Sequence, residues 1–184
     1  MESSKIRRMA LMAMLVALLA VCSQLSVPVG MVPITAQTAA VMLVGLLLPP
    51  KYAVATMLVY ILAGSIGLPI FANFKAGFGV LLGPTGGYLY GYLPAVALIS
   101  LIMGRNRQRG REFSIWLGAL ACVLGFVFVY LLGAVQLMLL LDLDSFAAAF
   151  AMGAFPYVFF EPLKIAAAVI AAKLLLKRLN MSEF

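Results

Sequence analysis

Phe155-Pro156-Tyr157-Val158-Phe159-Phe160-Glu161-Pro162-Leu163-Lys164 opens the last apolar stretch of the chain, and a run of Ile, Ala, Val and Leu broken only by Lys173 follows to Leu176. About twenty residues at 1.5 Å each reach across the ~30 Å hydrocarbon core of a bilayer, so residues 155–176 read as a transmembrane helix. Glu161 and Lys164 stand three apart in it. On a helix that spacing sets both on one face, close enough to share a polar ligand. Lys164 lies about 20 Å of helix from Lys177, so the pair sits well inside the span. A charge at such depth costs roughly 2.5–3.5 kcal/mol on insertion scales, and it faces a partner or a cavity. Two readings stand: an ion pair locking two helices together, or the floor of a binding site. The rest of the chain favours the second.

The composition makes lipid the solvent. Of 184 residues, 65% are apolar and 10% charged, with a mean hydropathy of +1.13. A soluble domain carries about a quarter charged residues, and a chain this small cannot hide such an excess in one core. A net charge of +7 suggests nucleic acid at first sight. The basic residues, however, cluster in short segments between apolar runs, which points to membrane topology and not to a nucleic-acid face. The chain has no His, and Cys22 and Cys122 sit in separate apolar runs, so neither a metal site nor a disulfide framework is expected.

Taken in order, the chain divides into six apolar spans at about 9–27, 36–48, 52–68, 86–103, 113–141 and 155–176, forming one all-α integral membrane domain over 1–184. The basic head and first apolar run also have the form of a signal peptide, but with further spans behind it the run reads as an uncleaved first helix. Ala13 and Ala17 form a small-xxx-small face in it, either a helix-docking surface or ordinary Ala-rich helix. Pro28 to Gln37 reads as a loop, with Thr35 and Gln37 at membrane depth. Residues 69–85 are too apolar for a solvated loop and too Gly-rich for a helix, so they are expected to form a lid or re-entrant segment between the third and fourth spans. Arg105, Arg107, Arg109 and Arg111 read as a basic hairpin, and Asp142 and Asp144 mark another loop. With both termini in the cytoplasm, Lys5, Arg7, Arg8, Lys51, the four loop arginines, Lys173, Lys177 and Arg178 fall inside. Lys75, Asp142 and Asp144 fall outside, in keeping with the positive-inside rule.

That topology gathers the polar outliers on the external half: Thr35, Gln37, Asn73, Lys75, Thr85, Tyr88, Glu161 and Lys164. A pocket open outward and floored by the acid–base pair follows. Glu161 can accept two N–H bonds and Lys164 can donate to a carbonyl or carboxylate. Lys75 is either a second cation of the pocket or a solvated loop charge. Tyr88, Tyr90 and Tyr92 are either ring faces of the pocket or membrane anchors. Catalysis is not expected, since no Ser–His or Cys–His constellation is possible. Gly83-Pro84-Thr85-Gly86-Gly87 lacks the Gly-Lys-Ser/Thr of a P-loop. An uptake protein without an ATP site must run on a gradient, here through Glu161 as a small ion-coupled transporter, or borrow an engine.

Val32-Pro33-Ile34-Thr35-Ala36-Gln37-Thr38, Leu82-Gly83-Pro84-Thr85-Gly86-Gly87-Tyr88-Leu89 and Phe155-Pro156 leading to Glu161-x-x-Lys164 resemble the hallmarks of the BioY family. These are the biotin-binding S components of energy-coupling factor (ECF) transporters, and the resemblance extends over essentially the whole chain. It implies a biotin site built from Glu161, Lys164, Thr35, Gln37, Tyr88, Thr85 and Gly86. Lys75 or Asn73 would hold the ligand's carboxylate. It further implies docking of Ala13 and Ala17 on a transmembrane T subunit, two cytoplasmic ATPases that supply the ATP chemistry, no resident cofactor, and a prokaryotic cytoplasmic membrane. Thiamine or riboflavin is the alternative within the class. The chain departs from the family in carrying Phe160-Glu161 where Gly-Asp is usual, and Leu89 where some members carry Arg, which makes Lys75 the substitute cation.

Overall fold

The structure, a computed structural model, describes residues 2–28 and 32–178. Helix α1 (Glu2–Gln24) leads into a hairpin whose strands β1 (Ser26–Val27) and β2 (Ile34–Thr35) pair antiparallel, Ser26 opposite Thr35. Helices α2 (Gln37–Leu47) and α3 (Pro50–Ser65) follow, parted by extended residues at Leu48 and Pro49. Pro50 starts α3 where a missing N–H costs nothing. A 3-10 turn (Ala72–Phe74) and the one-turn helix α4 (Gly79–Leu82) precede α5 (Gly86–Gln108) and α6 (Ile115–Leu140). The chain closes with α7 (Phe146–Gly153), α8 (Phe155–Val158) and α9 (Glu161–Arg178).

Helix α2 is the axis of the bundle. It packs against α1, α3, α5 and α9, and nine of its eleven residues are buried. A helix apolar all round belongs inside a protein or a membrane; this one is inside the protein. At 1.5 Å per residue it rises about 16 Å, half a hydrocarbon core. Its last carbonyls are met by the guanidinium of Arg107, which donates to the oxygens of Leu46 and Leu47.

The closest helix pair is α5 with α6, and glycines make it possible. A Cβ on Gly87 would lie 2.3 Å from the Leu132 oxygen, and one on Gly91 2.6 Å from Val129 Cα. Small residues four apart let backbones touch in this way where lipid leaves packing as the main force between helices.

Three described segments, Lys5–Gln24, Gly86–Gln108 and Ile115–Leu140, are long and apolar enough to cross a membrane. Several expected boundaries are corrected. The fourth span runs on to Gln108, so Arg105 and Arg107 belong to the last turn of α5 and not to a hairpin. The stretch after Asp142 is largely helical, as α7. The expected span 155–176 is broken at Phe159 and Phe160, and α9 restarts at Glu161 with Pro162 in its first turn. Proline is tolerated there but not in a helix interior, which is why an unbroken helix does not form. The basic side chains collect at one end of the bundle: Arg8 lies over the Tyr52 ring, Arg107 reaches the end of α2, and Arg111 shares a cavity with Lys173 and Lys177.

Replacing Gly91 by Leu is expected to force α5 and α6 apart, with a loss on the order of 1–3 kcal/mol or more. A lowered midpoint of thermal unfolding in detergent checks it.

Candidate functional site

At the end of the bundle opposite the basic cluster, a narrow cavity offers about 60 Å³ to the centres of water molecules. That is room for several waters. Its walls come from segments far apart in the chain: Thr35, Gln37 and Thr38 from β2 and α2, Phe71, Asn73 and Lys75 from the expected lid segment, and Thr85, Tyr88, Leu89 and Tyr92 from the start of α5. Tyr130 of α6, Tyr157 of α8 and Lys164 of α9 complete it.

The acid–base pair lies at one wall. Lys164 Nζ is 3.0 Å from Glu161 Oε1, and both side chains are largely buried. Thr38 Oγ1 donates to the same oxygen at 3.2 Å. Among the described residues, the second oxygen, Glu161 Oε2, is buried with no well-formed hydrogen bond, and so is the hydroxyl of Tyr130, which stands near the carboxylate. A buried polar atom left unpaired costs about 1–3 kcal/mol, and more when charged. The break before α9 therefore has a use: it sets Glu161 in the first helical turn, where the helix dipole favours a carboxylate.

Aromatic rings form the facing wall. Tyr130 meets Tyr88 edge-on at 6.5 Å and Tyr157 at 6.1 Å. Tyr88 is fixed from both sides, its ring against Gly133 and its hydroxyl donating to the Gly153 oxygen at 2.9 Å. Tyr157 likewise donates to the Val32 carbonyl. Of the three alternate tyrosines, Tyr88 and Tyr92 share the inner face of α5 because they are four apart, while Tyr90 is exposed.

The segment expected as a lid is a structured cap clamped to the end of α1. Ser23 Oγ donates to the Ile70 oxygen at 2.6 Å, and Gln24 Nε2 to the Phe71 oxygen at 3.1 Å. Gln24 Oε1 accepts from the Phe74 N–H at 2.8 Å, and Ser26 Oγ donates to Asn73 Oδ1 at 2.7 Å. Asn73 and Phe74 adopt φ of 59° and 56°, a left-handed turn that lets the Phe71 N–H bond the Lys75 oxygen. Tyr60 braces the cap from below, donating to the Ile70 oxygen at 2.7 Å and accepting from Gln37 Nε2 at 2.9 Å. A second cavity of about 420 Å³ shares Lys75, Val80 and Thr85 with the first, so these side chains stand between the inner cavity and the outside of the cap.

Of the residues singled out from sequence, Thr35, Gln37, Asn73, Lys75, Thr85, Tyr88 and Lys164 line the inner cavity. Glu161 touches it through its bonds to Thr38 and Lys164. Gly86 does not line it: a Cβ there would lie 1.8 Å from the Leu81 oxygen, so this glycine is set by close packing at the α4–α5 turn. Gln136 of α6 holds the same turn through the Leu81 and Gly83 oxygens. Ala13 and Ala17 are exposed on the outer face of α1, while Leu15 and Leu19 are buried. Thr38, Tyr130 and Tyr157 are cavity residues not singled out as site residues from sequence, and Tyr92, read there as either a ring face or a membrane anchor, lines the cavity. The spacing from Tyr88 was the available signal for Tyr92; nothing local marks Tyr130.

The model of the BioY family matches residues 1–181. The chain belongs to the BioY family. It is 36% identical to the "Probable biotin transporter BioY" of Pyrococcus horikoshii over 92% of this chain and 96% of that one. It is 35% identical to the "Biotin transporter BioY" of Thermotoga maritima over 91% and 94%. Its fold superposes with a TM-score of 0.88 on the crystal structure of the S-component for biotin from an ECF-type ABC transporter, at 23% identity, covering 96% of this chain and 94% of that one. Of the three blocks that carry the resemblance, Thr35–Thr38 forms one wall of the cavity, Gly86-Gly87-Tyr88 packs α5 on α6 with Tyr88 in the cavity lining, and the last supplies the acid–base pair.

Removing the cap's clamp with Gln24→Ala is expected to speed amide hydrogen exchange at Phe74 by up to about tenfold, the equivalent of one hydrogen bond of roughly 1–1.5 kcal/mol. Unchanged exchange would show that the cap stands without it.

Proposed function

We propose that this chain is a biotin-binding S component that takes up biotin as part of an ECF-type transporter, with the ligand held in the cavity at Glu161 and Lys164. The observation that carries the reading is the half-used carboxylate. One Glu161 oxygen is bonded to Thr38 and Lys164, and among the described residues the other is buried with no well-formed hydrogen bond, the Tyr130 hydroxyl standing near the carboxylate. Biotin's ureido ring brings N–H donors for Glu161 and a carbonyl acceptor for Lys164 or the Tyr130 hydroxyl. The fused rings lie against Tyr88 and Tyr157, and Thr35 and Gln37 line the side. The valerate carboxylate reaches Lys75 and Asn73 at the cap, where Lys75 is exposed on the cavity's rim.

The membrane arrangement belongs to the same proposal. The chain crosses six times with both termini in the cytoplasm, and the sixth crossing is built from α7, α8 and α9. The gathering of basic residues opposite the cavity supports it. Ala13 and Ala17 form the docking face for a T subunit, which couples the chain to two ATPases; their exposure on α1 supports this.

Purified protein is expected to bind biotin tightly, and Glu161→Ala and Lys164→Ala are each expected to weaken binding by more than tenfold, above ~1.4 kcal/mol. Equilibrium titration checks it, and unaltered affinity in both variants overturns the placement. Ala13→Trp with Ala17→Trp should leave biotin affinity unchanged while abolishing co-purification with the T subunit. Biotin uptake in cells that lack the T subunit and ATPases would contradict the borrowed engine.

A further inference from the structure

The basic end of the bundle holds a cavity of its own, about 570 Å³, between the α5–α6 connection and the last turns of α9. Arg107, Arg111, Lys173 and Lys177 supply four cations to its walls, against one carboxylate, Glu112. Among the described residues, none of the four forms an ion pair with Glu112 or any other acid. Lys173 and Lys177 stand four apart on α9, where like charges repel across one turn. Part of this charge complements the C-terminal ends of α5 and α9, and Arg107 is already engaged with the end of α2. Among the described residues, Arg111, Lys173 and Lys177 have no partner of that kind, and all three are exposed to the cavity's opening.

The connection that forms the cavity's wall is held in shape. Buried Asn106 donates its Nδ2 to the Glu112 backbone carbonyl at 3.0 Å and accepts the Arg111 N–H at its own backbone oxygen. Ser114 caps α6 through the Leu117 N–H. The remaining walls are apolar, Phe113 and Leu176, and the outer surface beside them is more so: Trp116 is 86% exposed and Leu174 55%. A concave cluster of unpaired cations that opens onto an apolar, aromatic-edged surface matches an amphiphile with an anionic head. Arg111 offers a planar fork to phosphate oxygens and the lysines offer point charges.

We propose that this cavity binds the phosphate headgroup of an acidic phospholipid of the cytoplasmic leaflet, with its acyl chains along the exposed apolar faces of α6 and α9. The proposal rests on the reading that the chain spans the membrane with this end in the cytoplasm, and it is independent of what the opposite cavity binds.

The test compares thermal unfolding of the full chain in neutral detergent with added phosphatidylglycerol, phosphatidylcholine or inorganic phosphate. Phosphatidylglycerol should raise the midpoint of the wild type and phosphatidylcholine should not. The triple variant Arg111→Gln, Lys173→Gln, Lys177→Gln should need roughly tenfold or more phosphatidylglycerol for the same shift. Arg107 is left in place because it closes α2, and Lys177→Gln alone should show a partial loss if the triple variant does not fold. The shift produced by biotin is read on the same samples and should be equal in wild type and variants; its absence from the wild type would remove the biotin reading and leave this one standing. A response of equal size to both lipids, or one unchanged in the variants, overturns the site. Equal stabilisation by inorganic phosphate assigns it to a soluble anion and overturns the lipid. Variants that keep the lipid response but lose assembly with the ATPase subunits hand the surface to a protein partner and overturn the proposal as well.

Discussion

A short helix buried round its whole circumference must have its end groups satisfied by other segments, because neither lipid nor water reaches them. Helix α2 meets that constraint at its C-terminal end, and the side chains of its first turn bond to two further helices. Its last carbonyls take the Arg107 guanidinium from α5. Near its first turn, Gln37 is bonded to Tyr60 of α3 and Thr38 to Glu161 of α9. One helix of eleven residues thereby ties three others together through polar bonds, in a medium where the hydrophobic effect between helices is absent. The inner cavity lies at its start and the basic cavity near its end.

The buried pair at the start of α9 leaves hydrogen-bonding capacity of its carboxylate unused. An ion pair taken out of water recovers its desolvation cost only when the geometry is good and the remaining lone pairs are filled. Here Lys164 and Thr38 share one oxygen of Glu161, and among the described residues the other has no well-formed hydrogen bond, with only the Tyr130 hydroxyl near the carboxylate. An arrangement selected for stability alone would use both. A ligand with N–H donors of the right spacing supplies what is missing, and the locked tyrosines hold the wall against which such a ligand would lie. Tyr88, with its hydroxyl given to Gly153, keeps its ring face and not its polar end for the cavity.

Much of this was legible in the chain because lipid makes polar residues conspicuous. Thr35, Gln37, Asn73, Lys75, Thr85 and Lys164 stood out against apolar surroundings, and topology sufficed to bring them together. The tyrosines were not legible in the same way. In a membrane protein the lipid face and the core face are both apolar, so Tyr130 and Tyr157 carry no periodic signal that separates a cavity wall from an interface anchor. Gly86 is a related case: a motif glycine suits close packing and a ligand equally, and here the Leu81 backbone already requires the missing side chain. The breaks around α8 were written in Pro156 and Pro162, yet the length of the apolar run suggested an unbroken span. The cap was read as a lid because its clamps, Ser23, Gln24 and Ser26, lie nearly fifty residues away in sequence and leave no mark next to it.

The claim on which the rest hangs is that the free oxygen of Glu161 receives a ureido N–H. The most direct measurement is a double comparison of binding affinities: biotin against biotin methylated at a ureido nitrogen, each with wild type and Glu161→Gln. If the N–H meets this carboxylate, methylation costs the wild type tenfold or more, on the order of 1.4 kcal/mol, and costs the variant much less. An equal penalty in both proteins would mean that Glu161 does not contact the ureido group, and the pair would return to holding helices together.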